Sequence, residues 1–291
     1  ELLEQIQDEK PRGEPGTGVL LGQGRPIIEV AAGAALTGRS LDVTVDEGNP
    51  LSYSSSIYPV FTFDLLFFPF AIFSSNDYLA GIGIFGDFGY GTLDSAIPVD
   101  PSAPVPEACS GSDDPGQVNC STTHSQFKIG GAYRLLFNSS KDHPDKLDPA
   151  GMALTIKAAY QWLVFDVAEN TTYEGHGYQG LLFGLEFGMP LGLDELRAEI
   201  GVAYTQMLSF GDGTMIANWG ESASGFGFSA DAAISYDIVA GLFAKLLYDF
   251  SYFTTSYGGT GCQNRECTLP TGAAASDMYN QISVQLGWRF Y

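Results

Sequence analysis

The chain has 291 residues, with 13 Lys+Arg against 34 Asp+Glu and a formal net charge of −21. Apolar residues make up 45% and aromatics 13%, while charged residues reach only 16%, against about 25% in an ordinary globular domain. The sign of the charge excludes a nucleic-acid footprint, which is basic, and the aromatic content excludes a disordered chain.

Residues 1–25 differ from the rest. Leu2, Leu3 and Ile6 interleave with charges and fit one or two amphipathic helical turns, and Pro11, Gly13, Pro15, Gly16, Gly18, Gly22 and Gly24 then read as a linker. From residue 26 onward the dominant period is two. Met152, Leu154, Ile156, Ala158, Tyr160 and Trp162 alternate with Ala153, Thr155, Lys157, Ala159 and Gln161, and the pattern recurs to the end of the chain. It predicts ten strands, at about 26–40, 57–70, 77–91, 125–138, 151–165, 178–189, 195–208, 226–237, 240–254 and 278–291. Each has at least the ~9–11 residues a tilted strand needs to cross a bilayer. No run of 18 apolar residues exists, and the most apolar stretch, Val60 to Phe73, is broken by Asp64 and Pro69. Pro59 and Pro69 in the second predicted strand remove ladder donors and mark a bulge or a weakened edge.

The connections alternate in length. Those after odd-numbered strands are mostly long and polar, and those after even-numbered strands are shorter, at 71–76, 139–150, 190–194 and 238–239. Long loops on one side and short turns on the other are the pattern of a transmembrane antiparallel up-and-down β-barrel. Two cysteine pairs, Cys109 with Cys120 and Cys262 with Cys267, lie in polar loops and read as short-range disulfides formed in an oxidising compartment. Neither has Cys-x-x-Cys spacing, which argues against a metal site. A soluble ten-stranded sandwich would put the apolar face inward. Against that, Tyr160, Trp162, Tyr204, Tyr236, Tyr252 and Trp288 stand near strand ends like an interfacial girdle, while the opposite faces are crowded with Gly, Ala and Ser.

The last strand carries a resemblance. Gln285, Gly287, Trp288 and Phe290 follow a polar-x-Gly-aromatic-x-aromatic order that resembles the β-signal read by the assembly machinery of Gram-negative outer-membrane barrels, with Tyr291 as one residue beyond the usual terminal aromatic. The resemblance covers about 26–291. It implies a barrel in a bacterial outer membrane, in contact with lipid bilayer, lipopolysaccharide and that machinery, with extracellular long loops and both termini periplasmic. It implies no particular activity. The chain then divides into a periplasmic segment, 1–25, and the barrel, 26–291.

Parity sorts the strand charges. The lumen face receives Arg39, Lys128, Arg134, Lys157, Arg197, Lys245 and Arg289 against Glu29, Asp64, Asp87, Glu186, Glu199, Asp231 and Asp249, seven of each sign. That balance predicts internal ion pairs. Leu79, Phe85, Leu182, Phe243 and Leu247 also point inward by parity, and ten strands enclose little more than their own side chains, so an occluded barrel is expected. The long-loop side gathers Asp46, Glu47, Asp94, Asp100, Glu107, Asp113, Asp114, Glu169, Glu174, Asp212, Glu221, Glu266 and Asp277, oxygen ligands suited to Ca²⁺ although no EF-hand spacing is present. No other cofactor is expected.

Three functions are compatible with this chain. It is a structural or anchoring subunit with a periplasmic or membrane protein partner; alternatively a narrow channel or small-molecule transporter; or a surface receptor using the disulfide-braced acidic loops. An enzyme is not expected. His124 and His176, the latter near Glu174 and Asp166, stand at the rim where ten-stranded outer-membrane proteases keep Asp and His residues, and His143 sits in a turn on the opposite side. No nucleophile elbow, metalloprotease helix or phosphate-binding loop accompanies them.

Overall fold

The computed structural model describes residues 26–73, 77–99, 105–112, 114, 116–137, 151–168, 173, 175–193, 195–211, 218–239, 241–262 and 270–291. Residues 1–25, and with them the predicted periplasmic segment, lie outside the described residues. Twelve strands are described: β1 (Ile28–Thr44), β2 (Leu51–Ser54), β3 (Tyr58–Phe67), β4 (Ile82–Pro98), β5 (Cys109–Gly111), β6 (Gln117–Leu136), β7 (Ala153–Val167), β8 (Gly175–Pro190), β9 (Leu196–Ser209), β10 (Ser222–Val239), β11 (Leu242–Gly258) and β12 (Ala274–Phe290). Ten of them form the wall, each antiparallel to its sequence neighbour, and β12 closes the cylinder on β1 from Ile28↔Phe290 to Thr44↔Ala274. The short β2 lies on β1 and the short β5 on β6. Closure removes every sheet edge from the bilayer, where an unpaired backbone group is costly.

The wall is apolar outside over one band. On β12, Ile282, Val284, Leu286, Trp288 and Phe290 are 40–61% exposed and face lipid. At about 3.4 Å per residue and a tilt near 40°, this run covers roughly 20 Å along the axis. Tyr160, Tyr204 and Tyr236 are exposed along the same wall.

Beyond the band the strands continue. β4, β6, β11 and β12 run to Pro98, Gln117, Gly258 and Ala274, so much of the chain expected as loop at 92–124 and 255–277 is wall. In this outer section the polarity of the two faces inverts. Leu41, Val43, Ile97, Phe253, Tyr257 and Tyr279 are buried inside, while Asp42, Thr44, Thr92 and Asp94 face outward. Water, rather than lipid, now bathes the outside, so the interior holds the apolar core.

Two prolines act differently from one another. Pro69 ends β3 rather than lying in it, opening a 3-10 turn at Pro69–Ile72. A helical turn, α1 (Asp77–Ala80), follows, so the third predicted strand begins at Ile82, and Leu79 is 46% exposed instead of pointing into the lumen. Pro59 is paired with Leu36 on β1, and the β3–β4 ladder starts just beyond it, at Val60↔Gly91.

Candidate functional site: the occluded lumen

The outer section of the lumen is filled by an aromatic plug built around one ion pair. Arg39 on β1 meets Asp277 on β12 through two parallel bonds, Nε–Oδ1 at 2.8 Å and Nη2–Oδ2 at 2.6 Å. Both side chains are fully buried. Asp277 also accepts from Tyr178 Oη at 3.0 Å and Tyr279 Oη at 3.3 Å. The guanidinium lies 4.1 Å from the Phe165 ring centroid, 5.3 Å from that of Tyr279, and 5.8 Å from those of Tyr53 and Tyr173. A desolvated bidentate pair under aromatic faces is strong once formed and rigid in geometry. Asp277, read from sequence as a loop acid, is therefore a core residue.

The two described histidines belong to this plug. His124 shares a 2.8 Å hydrogen bond with Tyr58 through Nδ1, and His176 a 2.7 Å bond with Tyr257 through Nε2. They are 1% and 2% exposed. His176 stacks on Tyr173, and Asp166 faces outward on β7. Glu174 and His143 lie outside the described residues. Cys109 and Cys120 form a disulfide between directly paired residues of β5 and β6, with Cys120 buried against the plug. Cys262 is disulfide-bonded, and Cys267 lies outside the described residues.

Beneath the plug the lumen is polar. One cavity of about 110 Å³ is bounded by Asp64, Asp87, Lys128, Lys157, Glu186, Asp231, Lys245, Asp249 and Gln285, among others. A second, of about 80 Å³, adds Glu29, Arg134 and Glu199. Each has room and polar partners for several waters. Lys157 pairs with Glu186 at 2.6 Å and Lys245 with Glu199 at 2.9 Å. Lys128 has Asp249, Asp87 and Asp231 as its electrostatic neighbours.

The turn end is narrowed by further contacts. Arg289 bonds Glu29 at 2.8 Å, pairs with Asp237, and lies over the Phe243 ring at 4.1 Å. Arg134 covers Phe68 at 4.2 Å, and Phe68 packs with Ile27, Ala71 and Ala80 beneath the 3-10 turn. Arg197 donates to the Gly151 carbonyl at 3.1 Å. Phe85, Leu182 and Phe243 are buried in the interior and Leu247 lines the larger cavity. Asp237 and Asp277 join the seven inward acids read from parity, so among the described residues the interior holds nine acids against seven bases rather than a balance.

Residues of the last strand have packing roles of their own. Gln285 is 1% exposed and donates to Asp64 and Thr62. Trp288 and Phe290 face outward. A Cβ on Gly287 would lie 2.3 Å from Phe243 Cζ and 2.5 Å from the Val30 carbonyl oxygen. Gly287→Val is therefore expected to cost about 1–3 kcal/mol of overpacking. Refolding into detergent without assembly factors, followed by urea unfolding, isolates this packing loss from any loss of signal recognition.

Of the acids proposed for Ca²⁺, Asp100, Asp113, Glu169, Glu174, Asp212 and Glu266 lie outside the described residues. Among the described residues, no three Asp, Glu, His or Cys side chains form a metal-binding group.

No family model matches the chain, and no curated protein sequence matches it. Solved structures do. The outer membrane protease OmpT from Escherichia coli aligns with 90% of this chain and 96% of its own at a TM-score of 0.50 and 10% identity. OprG from Pseudomonas aeruginosa aligns at a TM-score of 0.39 and 10% identity over 92% and 99% of the two chains. The translocator domain of the autotransporter NalP from Neisseria meningitidis aligns at 0.42 and 12% over 93% and 91%. The OmpT likeness establishes the fold, an outer-membrane β-barrel, and carries no activity with it.

Proposed function

We propose that this chain is a non-conducting outer-membrane barrel that serves as a structural or anchoring, partner-binding subunit of an envelope assembly. The observation that carries the reading is the filling of the lumen by side chains, with the buried Arg39–Asp277 plug on one side and the Phe68–Arg134 contact narrowing the other. A wide aqueous channel needs roughly 16–18 strands, and this wall has ten. In this reading the short turns and both termini face the periplasm, and the acidic outer hairpins face the medium. The surfaces left for function are then the outer hairpins, the turns and the N-terminal segment, rather than a path through the barrel.

Two measurements test it. In planar bilayers, purified protein is expected to give no stable conductance of the size of a water-filled pore. Affinity purification from native outer membranes in mild detergent is expected to recover stoichiometric partners by mass spectrometry. Stable conductance with recovery of the barrel alone would replace the anchoring reading with transport.

A further inference from the structure

The plug contains two proton-binding groups that a simple seal does not need. His124 and His176 each share one side-chain hydrogen bond with a tyrosine, Tyr58 and Tyr257. The second ring nitrogens, His124 Nε2 and His176 Nδ1, are buried and make no hydrogen bond among the described residues. An apolar ring would fill the same space without leaving a buried nitrogen idle.

Both imidazoles stand beside a fixed positive charge. The His124 ring lies 6.4 Å from that of Phe165 and 5.6 Å from that of Tyr279, the two rings nearest the Arg39 guanidinium. His176 lies 5.9 Å from the Tyr173 ring, which the guanidinium also approaches. Asp277 of β12 is the one acid among the described buried residues, and both of its oxygens already receive Arg39. The other titratable neighbours are phenols: Tyr53 of β2, Tyr58 of β3, Tyr173 and Tyr178 at the start of β8, Tyr257 of β11 and Tyr279 of β12. Burial raises the pKa of each, so all six are neutral. Among the described residues the remaining strands bring only uncharged side chains to the plug.

A proton on either imidazole therefore adds a second cation to a dry box whose only anion is already paired. That state is costly until water enters. Burial above all, and Arg39 after it, lower both histidines from 6.5 to about 4, while Asp277 and, at His176, the Gly175 backbone act the other way. Stability that requires neutral imidazoles is complete above 6.5 and is lost as pH falls toward 4. The wall does not share this dependence, since backbone hydrogen bonds join β12 to β1 from Ile28↔Phe290 to Thr44↔Ala274.

We propose that the plug is an acid-released gate at the outer mouth of the lumen. Proton uptake by His124 and His176 loosens the aromatic packing around Arg39, and water enters to solvate the new charges. The chamber beneath then opens to the medium while the wall stays folded. At neutral pH the gate is shut.

The test uses the full chain folded into detergent and titrated from about pH 8 to about pH 4. Near-UV circular dichroism reports fixed aromatic packing, and far-UV reports the strands. The near-UV signal is expected to fall reversibly between 6.5 and 4 while the far-UV signal holds. In His124→Gln/His176→Gln each amide can still bond its tyrosine and cannot take a proton. The fall is expected to move down by about one pH unit or more. Should the double variant fail to fold, each single variant is expected to make the fall shallower, with one proton fewer taken up. Access to the chamber is read by carbodiimide coupling of glycinamide to Asp64 and Asp87 at about pH 4.5, located by mass spectrometry. Labelling is expected in the parent and not in the glutamine variant at the same pH. Equal labelling of the two, high or low, would overturn the gate. So would an unchanged midpoint in the folded variants, a near-UV signal that persists in the parent, or near-UV and far-UV signals lost together.

Discussion

Asp277→Ala is expected to destabilise the folded barrel by about 3–5 kcal/mol, because it strands the Arg39 guanidinium in a dry aromatic box with no anion. Asp277→Asn keeps the shape and the acceptor for Tyr178 while losing the charge, so it should fall between the parent and the alanine variant. The pair's net contribution is a separate quantity. Desolvating both ions offsets much of their attraction, so Arg39→Met combined with Asp277→Leu is expected to return most of the lost stability. Urea unfolding in detergent micelles, followed by tryptophan fluorescence, gives all four values. An alanine variant within about 1 kcal/mol of the parent would mean that water reaches the pair and that the plug is not a seal.

The second large effect is expected on the opposite face of the wall. Val284 is 61% exposed at the middle of the outward apolar run of β12. Val284→Arg should cost about 2–4 kcal/mol in lipid, because the guanidinium must cross hydrocarbon to find water. Ser276→Arg, on the same strand and the same face but beyond the band, should cost about 0–1 kcal/mol. Folding titrations into phospholipid vesicles compare the two directly. Equal costs would mean that the bilayer does not lie where the apolar band does, and the boundary drawn at Ile282 would have to move.

How far each element could be read follows from the range of the interactions behind it. The alternation of Ile282, Val284, Leu286, Trp288 and Phe290 is a local signal, since every second side chain of a strand faces the same medium. The turn near Pro69 was less legible. A proline ends a ladder, but the 3-10 turn and α1 that follow depend on Phe68 packing with Ile27, Ala71 and Ala80. Reading each strand's parity in a single phase does not reveal the plug. On β11, Leu246, Tyr248 and Phe250 face out, while Phe253 and Tyr257 are buried inside. A switch of apolar parity along one strand was the available signal, visible wherever Ser and Thr replace apolar residues on the outward positions.

The sequence by itself determined the class of the protein: ten membrane-crossing strands, their lipid-facing side and the inward direction of the charged residues. Strand periodicity and medium polarity act residue by residue, so they leave a trace that needs no partner. Tertiary structure alone decided which charges meet. Arg39 and Asp277 are 238 residues apart and touch only because β12 closes on β1. The same registers set Asp64 against Asp87 and Asp231 against Asp249, and they bring Asp237 onto Arg289. Charge counts along a sequence carry no distances, and a Coulomb interaction is decided by distance and dielectric. An interior that reads as balanced in composition is therefore, once folded, a dry ion pair above a chamber with surplus negative charge.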